Sequence, residues 1–165
     1  MSKARTIIAT LALATGLGAL VAGMPAAVAE DSPAQAAYRD IEATLGLVPA
    51  MLKAFPEIGI AGAWAEFKSV QLNPDSALDG KTKELLGLAV AAQIPCQYCI
   101  YFHTAAAKLN GASDEEIREA VAMAAIVRHW STVLNGMQVD DEMFRKETDA
   151  ILARAAEMAK ATPTK

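Results

Sequence analysis

Two cysteines two residues apart, Cys96-Gln97-Tyr98-Cys99, are followed after three more residues by His103 and preceded, eleven residues earlier, by Glu84. Pro95 stands directly before the pair, and proline fits the opening turn of a helix while disfavouring helical geometry in the residue ahead of it. The pattern therefore predicts a helix that starts at Cys96. A helix N-terminus presents unpaired N–H groups and partial positive charge, both of which stabilise a thiolate. Cys99 and His103 are four apart, one helical turn, so they share a face and a base stands beside a thiol. That pairing makes a nucleophile. The break at Ile94-Pro95 would fold the preceding helix back alongside, bringing the Glu84 carboxylate towards the imidazole to orient it or take its proton.

Blander readings of the same residues exist. Two cysteines in an exported chain are commonly a structural staple. A bridge that closes only two residues removes little unfolded-state entropy, however, so it serves better as a redox switch. Cys96, Cys99, His103 and a carboxylate also number four zinc ligands, yet structural zinc sites usually gather their ligands from two separated knuckles. Neither a metal nor a cofactor is expected. A glutamate on a helix is most often solvated, and Glu84 taken alone would be read so.

Taken together, Glu84, Cys96, Cys99 and His103 at these spacings resemble the core motif of the alkylhydroperoxidase D-like branch of the carboxymuconolactone decarboxylase superfamily, and the likeness extends from about Ala37 to Leu152. The resemblance implies an all-α fold of about six helices and a proton relay in which Glu84 acts through His103 to deprotonate a cysteine that reduces peroxides. It implies that Cys99 is attacked by peroxide and that Cys96 resolves it. It implies too a homo-oligomer, a trimer or hexamer. Relatives in that branch can carry a histidine just before the second cysteine, where this chain has Tyr98.

The elements that must position these residues are legible in the punctuation. Asp31 and Ser32 before Pro33 open a first helix that Gly46 stops, and Leu47-Val48-Pro49 reads as an extended connector. A second, amphipathic helix follows Pro56 and carries Ile58, Ile60, Ala61, Trp64 and Phe67. Asn73-Pro74-Asp75-Ser76 is a loop, and Asp79 caps a helix from about Lys81 to Gln93 bearing Leu85, Leu86, Leu88, Ala89 and Ala92. The cysteine helix runs to Asn110-Gly111, a pair suited to a left-handed helix end. Ser113 and Glu116 form a capping box for a helix ending near Asn135-Gly136. Asp140 or Asp141 opens a last helix with Met143, Phe144, Ile151, Leu152, Ala155 and Met158 on one side. His129 and Trp130, inside an apolar stretch, are expected as core and rim residues, with lining of the cysteine pocket as the alternative.

The 165 residues suffice for one domain, and 53% hydrophobic against 21% charged content is that of a globular chain. Residues 1–29 read as a signal peptide: Lys3 and Arg5, an uncharged apolar run from Ile7 to Gly23, then Ala27-Val28-Ala29 before a cleavage point. The expected product is an exported, periplasmic or secreted domain of residues 30–165. Cleavage leaves 13 Lys+Arg against 19 Asp+Glu, a net charge near −6 that disfavours nucleic acid as a partner. The expected function is thiol-dependent reduction of hydroperoxides or exchange of disulfides, with a small hydroperoxide or disulfide as substrate and an external thiol protein as reductant. Two alternatives stand beside it. One is a decarboxylase acting on a small lactone acid, and the other a non-enzymatic, oligomeric binding protein with a resting disulfide.

Overall fold

The computed structural model describes residues 31–161, so the expected leader lies outside the described residues. Seven helices and no strand occur among them: α1 Pro33–Leu45, α2 Ala50–Lys53, α3 Glu57–Glu66, α4 Gly80–Gln93, α5 Gln97–Leu109, α6 Asp114–Gly136 and α7 Asp141–Ala161. The extra helix relative to the expected six is α2, a single turn that follows Pro49 where only a connector was expected.

The caps explain where the helices begin. The Ser32 hydroxyl accepts from the Gln35 amide while the Gln35 side chain accepts from the Ser32 amide, and Gly46 closes α1 in the left-handed conformation, φ 79°. Asp79 accepts from the Thr82 amide at 2.7 Å to start α4, one residue earlier than expected. Ser113 and Glu116 form the second capping box, on α6. Instead of stopping at Asn135-Gly136, α6 includes Gly136, and Gln138 takes the left-handed conformation (φ 52°) that ends it, the Val139 amide donating to the Leu134 carbonyl at 3.1 Å.

Packing falls into two connected groups. In the first, α1 lies on α3 through Ala34, Ala37, Ile41, Ile60 and Trp64, flanked by Tyr38, Val48, Leu52 and Phe67. The Trp64 indole N–H donates to Asp40 at 2.6 Å and the Lys68 ammonium to the same oxygen at 2.7 Å, which satisfies the one polar atom of a buried ring. Ile58 does not join this core, being fully exposed: the inward stripe of α3 is Ile60 and Trp64, four residues apart, and Ile58 lies off it.

In the second group α4 is central, packing against both α5 and α6. Its buried residues are Glu84, Leu88 and Ala91, spaced four and three apart on one stripe. Ala107 of α5 and Ala124 of α6 are the buried residues facing inward from the other helices, and such small side chains let the backbones approach closely. Leu86, expected on the apolar face, is exposed because it falls off that stripe. The end of α4 is tied down by α6: Gln93 donates to the Ala124 carbonyl and accepts from Arg128 Nε at 2.9 Å.

The outer surfaces depart from expectation. His129 and Trp130 are exposed, packed edge-to-face on each other with centroids 5.2 Å apart, and neither lines the cysteine pocket. Met143, Phe144, Ile151 and Leu152 of α7 form the expected apolar side but lie exposed, and α7 has no buried residue. No helix among the described residues is long and apolar enough to cross a membrane.

Candidate functional site

The reversal between α4 and α5 creates the site. After Gln93 the chain turns through Ile94 and Pro95, and the Cys96 amide donates to the Ala91 carbonyl at 3.1 Å, so α5 runs back along α4. Cys96 is the N-cap of α5 rather than its first residue: its Sγ accepts from the Cys99 amide at 3.3 Å. The two sulfurs are bonded, Cys96 to Cys99, with Cα atoms 5.3 Å apart.

One turn further along α5, His103 Nδ1 lies 2.7 Å from Glu84 Oε2. The Glu84 side chain is 6% exposed and the imidazole 19%. A carboxylate only accepts, so His103 carries its proton on Nδ1 in the neutral ring and keeps Nε2 as the free basic nitrogen. Glu84 and His103 are thus brought together across the α4–α5 contact, while Cys96 and Cys99 are bonded at the start of α5 and Cys99 lines one cavity with His103. Glu84 is not a solvated-surface acid.

Three further residues belong to the site and carried no signal by type. Gln71 Nε2 donates to Glu84 Oε1 at 3.1 Å, so each carboxylate oxygen has its own partner. Gln71 ends a π-helical turn, Phe67–Gln71, that continues α3. Gly87, one turn beyond Glu84, lies against the His103 ring; a Cβ there would fall 2.5 Å from Nδ1 and 2.8 Å from Nε2. Phe102 packs edge-to-face on the same ring with centroids 5.3 Å apart.

Beside the Glu84–His103 pair lies a cavity of about 220 Å³ lined by Met51, Phe67, Gln71, Tyr98, Cys99, Phe102 and His103. Its walls are apolar and aromatic apart from Gln71, Cys99, His103 and the Tyr98 hydroxyl, and Cys99 rather than Cys96 contributes to it. Tyr98 itself is 90% exposed, at the rim. A wider open groove of about 510 Å³, between α1 and α3, contains none of the four motif residues. No group of three or more His, Cys, Asp or Glu residues among the described residues is arranged to hold a metal ion.

A bonded cysteine pair at a helix start, beside a buried acid–imidazole contact inside an all-α fold, matches a known class. The chain belongs to the carboxymuconolactone decarboxylase family, which matches residues 59–142 and so includes all four motif residues. Its structure is similar to that of the alkylhydroperoxidase AhpD core from Rhodospirillum rubrum, with a TM-score of 0.59 and 30% identity, over 68% of this chain and 85% of that one. The fold is accordingly alkylhydroperoxidase D-like. A stretch of 54 residues is 44% identical to the uncharacterized protein 4 in cox locus of Paracoccus denitrificans, 33% of this chain and 49% of that protein. The chain spans about half the length of that curated relative.

Proposed function

We propose that the protein is a thiol-dependent oxidoreductase that cycles Cys96 and Cys99 between dithiol and disulfide to reduce hydroperoxides, or to exchange disulfides with another protein. The observation that carries this reading is the Glu84–His103 contact of 2.7 Å beside a cavity that Cys99 lines. In the reduced state His103 Nε2 takes the Cys99 proton, and Glu84 holds the resulting imidazolium through Nδ1–H. The thiolate attacks the distal peroxide oxygen, the O–O bond breaks, and the alcohol leaves with a proton from the imidazolium, giving a sulfenic acid on Cys99. The Cys96 thiol attacks that sulfur, water departs, and the Cys96–Cys99 disulfide closes. Two thiols and one hydroperoxide yield one disulfide, one alcohol and one water. An external dithiol protein then restores the pair by exchange.

The cavity favours this over decarboxylation of an anionic lactone acid, because its lining includes no lysine or arginine to meet a substrate carboxylate. Two further parts of the reading rest on separate features. The exposed apolar sides of α6 and α7, with Val127, Trp130, Phe144, Ile151 and Leu152, support self-association into a trimer or hexamer. The Lys3–Ala29 pattern supports export with cleavage near Ala29.

The test is consumption of an organic hydroperoxide by the protein lacking residues 1–29, driven by a small dithiol. Turnover that vanishes in Cys99→Ala carries the proposal. Sulfurs that neither oxidise with peroxide nor regenerate with the dithiol would leave a resting structural disulfide.

A further inference from the structure

Glu84 is buried with both carboxylate oxygens occupied, and only one partner belongs to the relay expected from the sequence. Oε2 meets His103; Oε1 receives the Gln71 amide at 3.1 Å. Gln71 comes from neither α4 nor α5. It is the last residue of the π-helical turn, in which the Leu72 amide donates to the Phe67 carbonyl at 3.2 Å, five residues back. A π-turn holds one residue more than an α-turn, and one residue turns everything that follows by about 100° around the helix axis. Such turns recur at functional sites because they re-aim side chains. Here the side chain at position 71 reaches 13 positions along the sequence to Glu84 and, in the same pose, lines the cavity with Cys99 and His103.

We infer that Gln71 is a positioning residue of the relay: its amide pins the Glu84 carboxylate so that Oε2 alone addresses His103 Nδ1, which fixes the imidazole tautomer and leaves Nε2 as the base. An ionised carboxylate needs donors for both oxygens when buried, and an oxygen without one costs free energy that the side chain can relieve by rotating. Rotation of Glu84 breaks its line to His103. A single amide from the π-helical turn that continues α3 therefore couples the first helical group to the chemistry of the second. This inference deepens the relay reading above and rests on it for its effect on rate, but its structural content stands apart from any activity.

The experiment uses reduced full-length protein with ¹⁵N-labelled histidine. Imidazole ¹⁵N shifts report which nitrogen of His103 carries the proton, and the expected wild-type result is one tautomer, protonated at Nδ1. Gln71→Met, nearly isosteric but without a donor, should give a mixture of tautomers, and Gln71→Asn, polar but too short to reach, should do the same. Having two variants guards against a fold defect in either, which circular dichroism checks. In peroxide oxidation of Cys99, Gln71→Met should slow the reaction by roughly 10-fold, part of what a well-oriented general base contributes. In a Glu84→Gln background it should slow it no further, since the two residues act as one unit. A wild-type tautomer population in both folded variants, or fully additive rate effects, overturns the inference. A tautomer shift in a protein whose thiols ignore peroxide would uphold Gln71 as the positioning residue while sinking the oxidoreductase reading.

Discussion

Gly87 and His103 touch so closely that the glycine has no room for a side chain: a Cβ would fall 2.8 Å from the imidazole Nε2. Helix propensity alone argues the other way, since alanine in a helix interior is favoured over glycine by about 1 kcal/mol. Gly87→Ala should nevertheless displace the His103 ring from Glu84 and slow Cys99 oxidation by roughly 10-fold or more, in line with the loss of an oriented base. Thermal unfolding and peroxide kinetics on the same variant decide. A more stable and fully active Gly87→Ala protein would mean that the ring does not rest on α4.

The two cysteines should fail differently. Cys99→Ala should abolish reaction with peroxide, because Cys99 is the sulfur in the cavity wall. Cys96→Ala should react once and stop, leaving a sulfenic acid on Cys99 that a dimedone-type reagent traps and mass spectrometry detects. Trapping on Cys96 in the Cys99→Ala protein instead would exchange the two roles.

Helix-terminus charge lowers a thiol pKa with no base at all, so the contribution of His103 has to be measured separately. His103→Ala should slow Cys99 oxidation by roughly 10²-fold, and Glu84→Gln should act in the same direction. An unchanged rate and pH profile in His103→Ala would leave the start of α5 as the whole cause of reactivity.

Acid should loosen the fold from identifiable points. Lys68, and then the Trp64 indole, hold the Asp40 carboxyl below its ordinary value; the Thr82 amide does so for Asp79; Lys81, and then the Ser113 amide, do so for Glu116. Each folded-state pKa is depressed, so the stability it contributes is present above the unfolded value of about 4 and is lost as pH falls through the folded one. Lys81 is shifted upward by Glu116, and its share is lost only as pH rises past about 10.4. Melting temperature should therefore hold steady around neutrality and fall below about pH 4, and Glu116→Gln should flatten part of the acid slope.

The helix order and the motif were readable because their signals are local. Ser32, Gly46, Asp79, Ser113 and Gly111 each act within a few residues of themselves, and Pro95 marks the reversal that sets α5 against α4. Glu84 was ambiguous alone, yet it shares a stripe with Leu88 and Ala91 at helical spacing, a burial signal that its charge masked. Gln71 is illegible in the sequence, since its role depends on one extra residue in the π-helical turn after α3 and on a partner on another helix. Gly87 carries no signal in the sequence beyond a glycine inside a helix, and only the His103 ring packed on it gives it a role. Ile58, Trp130 and α7 misled for one shared reason: apolar periodicity marks a surface that wants covering without saying what covers it.

Cys96 is half of the sulfur pair and also the residue whose sulfur accepts the Cys99 amide at the opening of α5. The backbone of the first turn is therefore wired to the oxidation state. When the S–S bond is cut, the Cys96 sulfur can swing or ionise, and the Cys99 N–H feels either change directly. Its amide exchange rate and ¹⁵N shift become a non-destructive gauge of how much of the protein is reduced, readable in intact cells carrying labelled protein and requiring no reagent that consumes a thiol.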